Sequence, residues 1–84
     1  MTFELYSDVM VNRDVPHARL RRGDVVKLVE FHPGSDGETG YSVEVINAFG
    51  DALRVAAVAQ DDLAPLRADE ILCMREASTA AAAT

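Results

Sequence analysis

A small all-β domain is the fold that the sequence predicts. Short runs rich in β-branched and aromatic residues recur along the chain, glycine, proline, asparagine and aspartate separate them, and no stretch carries a long amphipathic helical period. Eighty-four residues supply one modest hydrophobic core and leave no room for a second. About half of the chain, 49 %, is hydrophobic and 26 % is charged, a globular balance that excludes a fibrous repeat or wholesale disorder.

The first periodic segment runs from Asp8 to Val15, with Val9, Val11 and Arg13 on one face and Met10, Asn12 and Asp14 on the other. Pro16 has no N–H for a ladder, so the strand is expected to stop there. The chain then turns through His17 to Arg22, with Leu20 as its buried anchor. Gly23-Asp24 is a turn signal that opens a second strand, Val25 to Phe31. Three glycines and a proline between His32 and Gly40 make a hairpin loop. Tyr41 to Val45 alternates apolar with polar side chains, and Ile46 completes that strand. Asn47 to Asp51 turns the chain again, after which Leu53, Val55 and Ala57 alternate with Arg54 and Ala56. Two consecutive hairpins make a meander. Gln60 to Pro65 reads as a helical turn or tight corner, its two aspartates capping free N–H groups.

Glu70 to Arg75 is taken as the fifth strand, although its composition also admits a short carboxy-terminal helix. The domain so defined spans residues 1–76, and 77–84 is a low-complexity Ala/Thr tail whose alanines favour a helix. About five short strands closed by a helical turn are best accommodated by an SH3-like barrel. Its expected core is Val9, Val11, Leu20, Val25, Val29, Phe31, Tyr41, Val43, Val45, Leu53, Val55 and Leu63.

The segment Asp14-Val15-Pro16-His17-Ala18-Arg19-Leu20-Arg21-Arg22-Gly23-Asp24-Val25 resembles a family of small bacterial proteins, domain of unknown function 4926. The shared pattern is acid, aliphatic, proline, three residues, leucine, two residues, glycine, aspartate. The strand Tyr41 to Val45, the turn Asn47 to Asp51 and the run Asp61 to Leu66 match as well, so the resemblance covers roughly residues 5–75. Members usually continue Gly-Asp-x-Gly-Thr-Val, where this chain has Val26 in place of the second glycine. A valine there implies an ordinary strand and not a backbone that approaches a ligand closely. The resemblance implies an SH3-like barrel without assigned chemistry. It also implies an antitoxin or immunity role, because some similar proteins look like partners of neighbouring toxin-like proteins.

Fourteen acidic against eight basic side chains give a net charge of −6, which repels nucleic acid and anionic membrane and favours a basic protein partner. The amino terminus lacks the pattern of an export signal, and no apolar stretch reaches the length of a membrane-spanning helix. Cys73 is the only cysteine, so neither an internal disulfide nor a cysteine-based zinc site is expected, and a reducing cytoplasm is the expected location. Cys73 is read as a small buried hydrophobe, and His17 and His32 as solvent-facing loop residues. His32, Asp36 and Glu38 lack the spacing of a metal motif. No catalytic residue, metal or cofactor is therefore assigned, and the chain is expected not to be an enzyme.

Two surfaces remain as candidates. Glu44, Phe49, Asp61 and Asp62 are the candidate protein-binding residues, three acids that steer a basic partner and one aromatic that is either an exposed anchor or folded back over the barrel end. Folding back is the default. Arg19, Arg21 and Arg22 form a basic cluster that suits the alternative, a KOW-like RNA-binding barrel, unless they pair with Asp14, Asp24 or Asp62. A sheet edge also invites a second copy of the chain.

Overall fold

A computed structural model describes residues 3–34 and 38–77. The elements are β1 (Asp8–Val11), a 3-10 turn at Pro16–Ala18, β2 (Val25–His32), β3 (Gly40–Ile46), β4 (Ala52–Ala59), a second 3-10 turn at Gln60–Asp62, and β5 (Leu63–Pro65). All strand pairs are antiparallel, and the spatial order is β4-β3-β2-β1-β5. The protein is thus all-β, with five strands in one sheet.

The sheet is forced to curl by its own connectivity. In a flat sheet β4 and β5, at opposite edges, would stand about 19 Å apart, four spacings of roughly 4.8 Å. The turn joining them, Gln60–Asp62, advances only about 2 Å per residue, so the two edges must approach each other at that end. Asp62 fixes the corner, its Oδ2 accepting the Ala59 N–H at 3.0 Å. Leu63 then enters the core opposite Val11, and Pro65 lies on an edge strand, where its missing donor is tolerated.

β1 ends at Val11, four residues earlier than the alternation suggested. The Asn12 N–H is taken by the Asp62 carbonyl at 2.8 Å, one step past the Val11 and Leu63 pair, and the chain then turns away from the sheet. Val15 instead bridges Leu20 across the first 3-10 turn, and both are buried. Arg19 closes that turn in the left-handed region at φ 52°. Gly23 adopts φ 97° and donates its N–H to the Val11 carbonyl, so the turn before β2 needs the missing Cβ.

The core comprises Val9, Val11, Val15, Ala18, Leu20, Val26, Leu28, Tyr41, Val43, Val58 and Leu63. Tyr41 is fully buried. Its ring packs against Phe3 and Phe31 with centroids 5.8 and 5.3 Å away, and its hydroxyl accepts the Phe3 N–H at 3.0 Å.

Two strands bury the face opposite to the expected one. On β2 the pairs Val9 with Val26 and Leu28 with Val43 turn Val26 and Leu28 inward, in place of Val25 and Val29. A bulge between Leu28 and Glu30 then shifts the parity, which returns Phe31 to the side of Tyr41. On β4 the pairs Tyr41 with Val58 and Val43 with Ala56 carry Val58 and Ala56 inward and leave Val55 pointing out, and a bulge opposite Val45 and Ile46 sets the unpaired Leu53 beside Val45 and Arg54. Val26 sits in an ordinary strand, as its replacement of glycine implied.

The fifth strand is Leu63–Pro65, and the expected strand or short helix at Glu70 to Arg75 is absent, because both positions beside β1 are already filled by β2 and β5. The segment follows the sheet without regular structure, and Ile71, Leu72, Cys73 and Met74 are exposed. The expected helical tail falls outside the described residues beyond Ala77. No described helix is long and apolar enough to cross a membrane.

Candidate protein-binding surface

The turn between β3 and β4 is built by Asn47. Its Oδ1 accepts the N–H groups of Phe49 and Asp51, both at 2.9 Å, and Gly50 supplies the positive φ that closes the loop. The tip is therefore ordered by local hydrogen bonds and not by burial. Phe49 projects from it with 92 % of its surface exposed, so the side chain does not fold back over the end of the sheet. Past the turn, Leu53 at the bulge is 48 % exposed and Val55, on the outward face of β4, is 61 % exposed. Glu44 shares that face, opposite Val55 on one side and Lys27 on the other.

The two aspartates lie elsewhere. They follow the last residue of β4, while Phe49 precedes its first, and an eight-residue strand is roughly 25 Å long. Asp62 is occupied as the cap of the corner and lies 3.5 Å from Arg13 Nε, with only 14 % of its side chain exposed. Asp61 is exposed, and its carbonyl accepts from Arg13 at 2.8 Å. The four candidates thus separate into an apolar hairpin with Glu44 beside it, and a remote acidic corner of which only Asp61 is free to meet a partner.

The arginine cluster is also divided. Arg21 and Arg22 are held by their backbone, each N–H donating to a carboxylate, that of Asp24 at 2.8 Å and that of Asp14 at 3.0 Å. Their guanidinium groups are not the groups that pair. Arg19 faces a different set, since Arg54 from β4 donates to its carbonyl at 3.1 Å and Arg75 lines the same cleft.

Arg75 is a functional-surface residue that no motif in the sequence marks. Its Nε and one terminal nitrogen grip Asp24 Oδ1 and Oδ2 at 2.8 and 2.6 Å, a two-point pairing between groups 51 positions apart. The hydrogen bond to Asp24 holds the Arg75 guanidinium above its already high ordinary pKa. This contact ties residues 66–77 back to the Gly23-Asp24 turn and leaves a cleft of about 330 Å³ between that turn, Ile46, Leu53 and the tied segment. Cys73 lines it and is exposed, contrary to the buried position expected, because the segment bearing it is not a strand.

The histidines serve local contacts. His17 Nε2 lies 3.2 Å from the Ala57 carbonyl and so links the first 3-10 turn to β4, and His32, the last residue of β2, lies 2.7 Å from Ser42 Oγ. Among the described residues, no three His, Cys, Asp or Glu side chains converge as a metal-ligand set.

Fold and surface together define a small curled all-β domain with an ordered apolar hairpin and a strapped carboxy-terminal segment. The chain belongs to the family described as domain of unknown function (DUF4926), whose model matches residues 5–65. That span contains all five strands and both 3-10 turns, and the strap from residue 66 onward lies outside it. No curated protein and no solved structure matches the chain.

Proposed function

We propose that this protein is a non-enzymatic protein-interaction module that binds its partner through the β3–β4 hairpin and the outward face of β4. The observation that carries the reading is Phe49, an aromatic side chain 92 % exposed on a turn already ordered without a partner. An exposed aromatic on a preorganised backbone loses little entropy on binding, which is the profile of an interface anchor. Leu53 and Val55 extend the apolar contact, and Glu44 with the net charge of −6 suits a partner whose contact surface is basic at its rim. Asp61 acts at longer range by steering.

The finer reading is a cytoplasmic antitoxin or immunity protein that covers a toxin-like partner. It rests on the family resemblance together with the acidic charge, which suits masking of a basic surface.

Retention of partners from native lysate at low and then moderate salt, with and without nuclease, tests both levels. A single stoichiometric protein that survives nuclease and is lost with Phe49→Ala supports the module, and a toxic activity neutralised in the complex supports the finer reading. Glu44→Lys and Asp61→Lys are expected to slow association mainly at low salt. Capture of RNA alone, abolished by nuclease, would refute the proposal.

A further inference from the structure

A cleft of about 240 Å³ is lined by Arg19, Val45, Leu53, Arg54, Arg75 and Ala77, bringing three arginines together in a protein of net charge −6. They come from three separate places: the end of the first 3-10 turn, the core-facing side of β4, and the carboxy-terminal strap. Burial lowers the Arg54 pKa, and the charges of Arg19 and Arg75 lower it further. One carboxylate, Asp24, partly offsets them.

Few of the available donors are used. Arg75 commits two nitrogens to Asp24 and a third to the Glu76 carbonyl, and Arg54 commits one terminal nitrogen to the Arg19 carbonyl. The Arg19 guanidinium makes no hydrogen bond or ion pair among the described residues. Three like charges held around an apolar wall of Val45, Leu53 and Ala77 have unspent donors and an unfavourable mutual field, and both would be relieved by an anion.

We propose that the cleft between Arg19, Arg54 and Arg75 binds the phosphate group of a small phosphate monoester. Three guanidinium groups against one carboxylate leave a surplus of two positive charges, which matches a phosphate of charge about −1.5 to −2 better than a singly charged carboxylate. The adjoining cleft beside Leu53, Leu72 and Met74 shares Arg75 with this one and offers space for the ester's organic part. A long polyanion is disfavoured by the overall charge. The site borders the proposed protein-binding hairpin at Leu53, and its three arginines lie outside that surface.

The test is titration of the intact protein with inorganic phosphate, phenyl phosphate and acetate, followed through the side-chain Nε–Hε resonances of the arginines. Both phosphates are expected to give saturable shifts at Arg19, Arg54 and Arg75, to compete with each other, and to leave Arg22 unmoved, with acetate at least about tenfold weaker. Arg19→Gln is the clean variant, because that side chain makes no hydrogen bond or ion pair among the described residues and glutamine keeps much of its length. It is expected to weaken phosphate binding about tenfold, the effect of one charge-assisted hydrogen bond, with the backbone spectrum unchanged. Shifts at the three arginines no larger than at Arg22, or unaltered binding by Arg19→Gln, would overturn the proposal.

Discussion

Val58→Ala and Val55→Ala, compared as a pair, probe which face of β4 closes the core. Both remove the same two methyl groups from the same strand, so the change in strand propensity cancels between them. Val58 is 5 % exposed and opposes Tyr41. Its truncation forfeits about 0.8 kcal/mol per buried carbon plus a cavity term, together about 2 kcal/mol. Val55 is 61 % exposed, so the same truncation costs only about 0.5 kcal/mol. For a domain of this size the difference of about 1.5 kcal/mol corresponds to a gap of roughly 6–12 °C in Tm. Urea unfolding monitored by circular dichroism gives both free energies, with equal slopes confirming that only stability has changed. Equal costs, or a larger cost at Val55, would refute the inward placement of Val58 and with it the register of β3 against β4.

Arg75→Ala releases the strap without touching the core, and the backbone NMR order parameters of residues 70–77 are expected to fall below about 0.6 while global stability falls by roughly 1 kcal/mol or less. Unchanged order parameters would show that the Asp24 contact does not hold the segment. Val26→Gly empties a side chain that is 1 % exposed, and is expected to cost roughly 3 kcal/mol in a denaturant titration. Asn47→Ala removes the acceptor shared by the Phe49 and Asp51 N–H groups and is expected to cost about 1 kcal/mol, with faster amide exchange confined to the hairpin tip. Phe49→Ala is expected to leave Tm within about 2–4 °C of the parent, since the side chain buries almost nothing.

The candidate surface was legible in part. Phe49 and Glu44 sit where hairpin chemistry and alternation put them, since Asn47-Ala48-Phe49-Gly50-Asp51 encodes its own turn through an asparagine side chain and a glycine. Asp62 is legible both as a capping residue and as a surface charge, and the cap to the Ala59 N–H is the role that takes its carboxylate out of the surface. The grouping of Arg19 with Arg54 and Arg75 was hidden in the sequence. Those residues stand 35 and 21 positions apart along the chain, and only the pairing of β4 with β3 and the return of the strap to Asp24 bring them to one cleft.

The sequence by itself determined where the chain turns and which segments extend, because Pro16, Gly23, Asn47 and Gly50 act through their own backbone geometry. It did not determine which face of β2 or β4 is buried. Val25-Val26-Lys27-Leu28-Val29 and Leu53-Arg54-Val55-Ala56-Ala57-Val58 carry apolar side chains at both parities, so a period of two has no preferred phase within them. The tertiary structure chose the phase by pairing Val26 with Val9 and Val58 with Tyr41, and by the bulge after Leu28 that keeps Phe31 beside Tyr41. It also placed the last strand at Leu63–Pro65, since a three-residue turn that bridges the two edges of a curled sheet delivers the chain to β1 at once. Residues 70–75 were left without a strand to join, and a single two-point contact between Arg75 and Asp24 came to hold them.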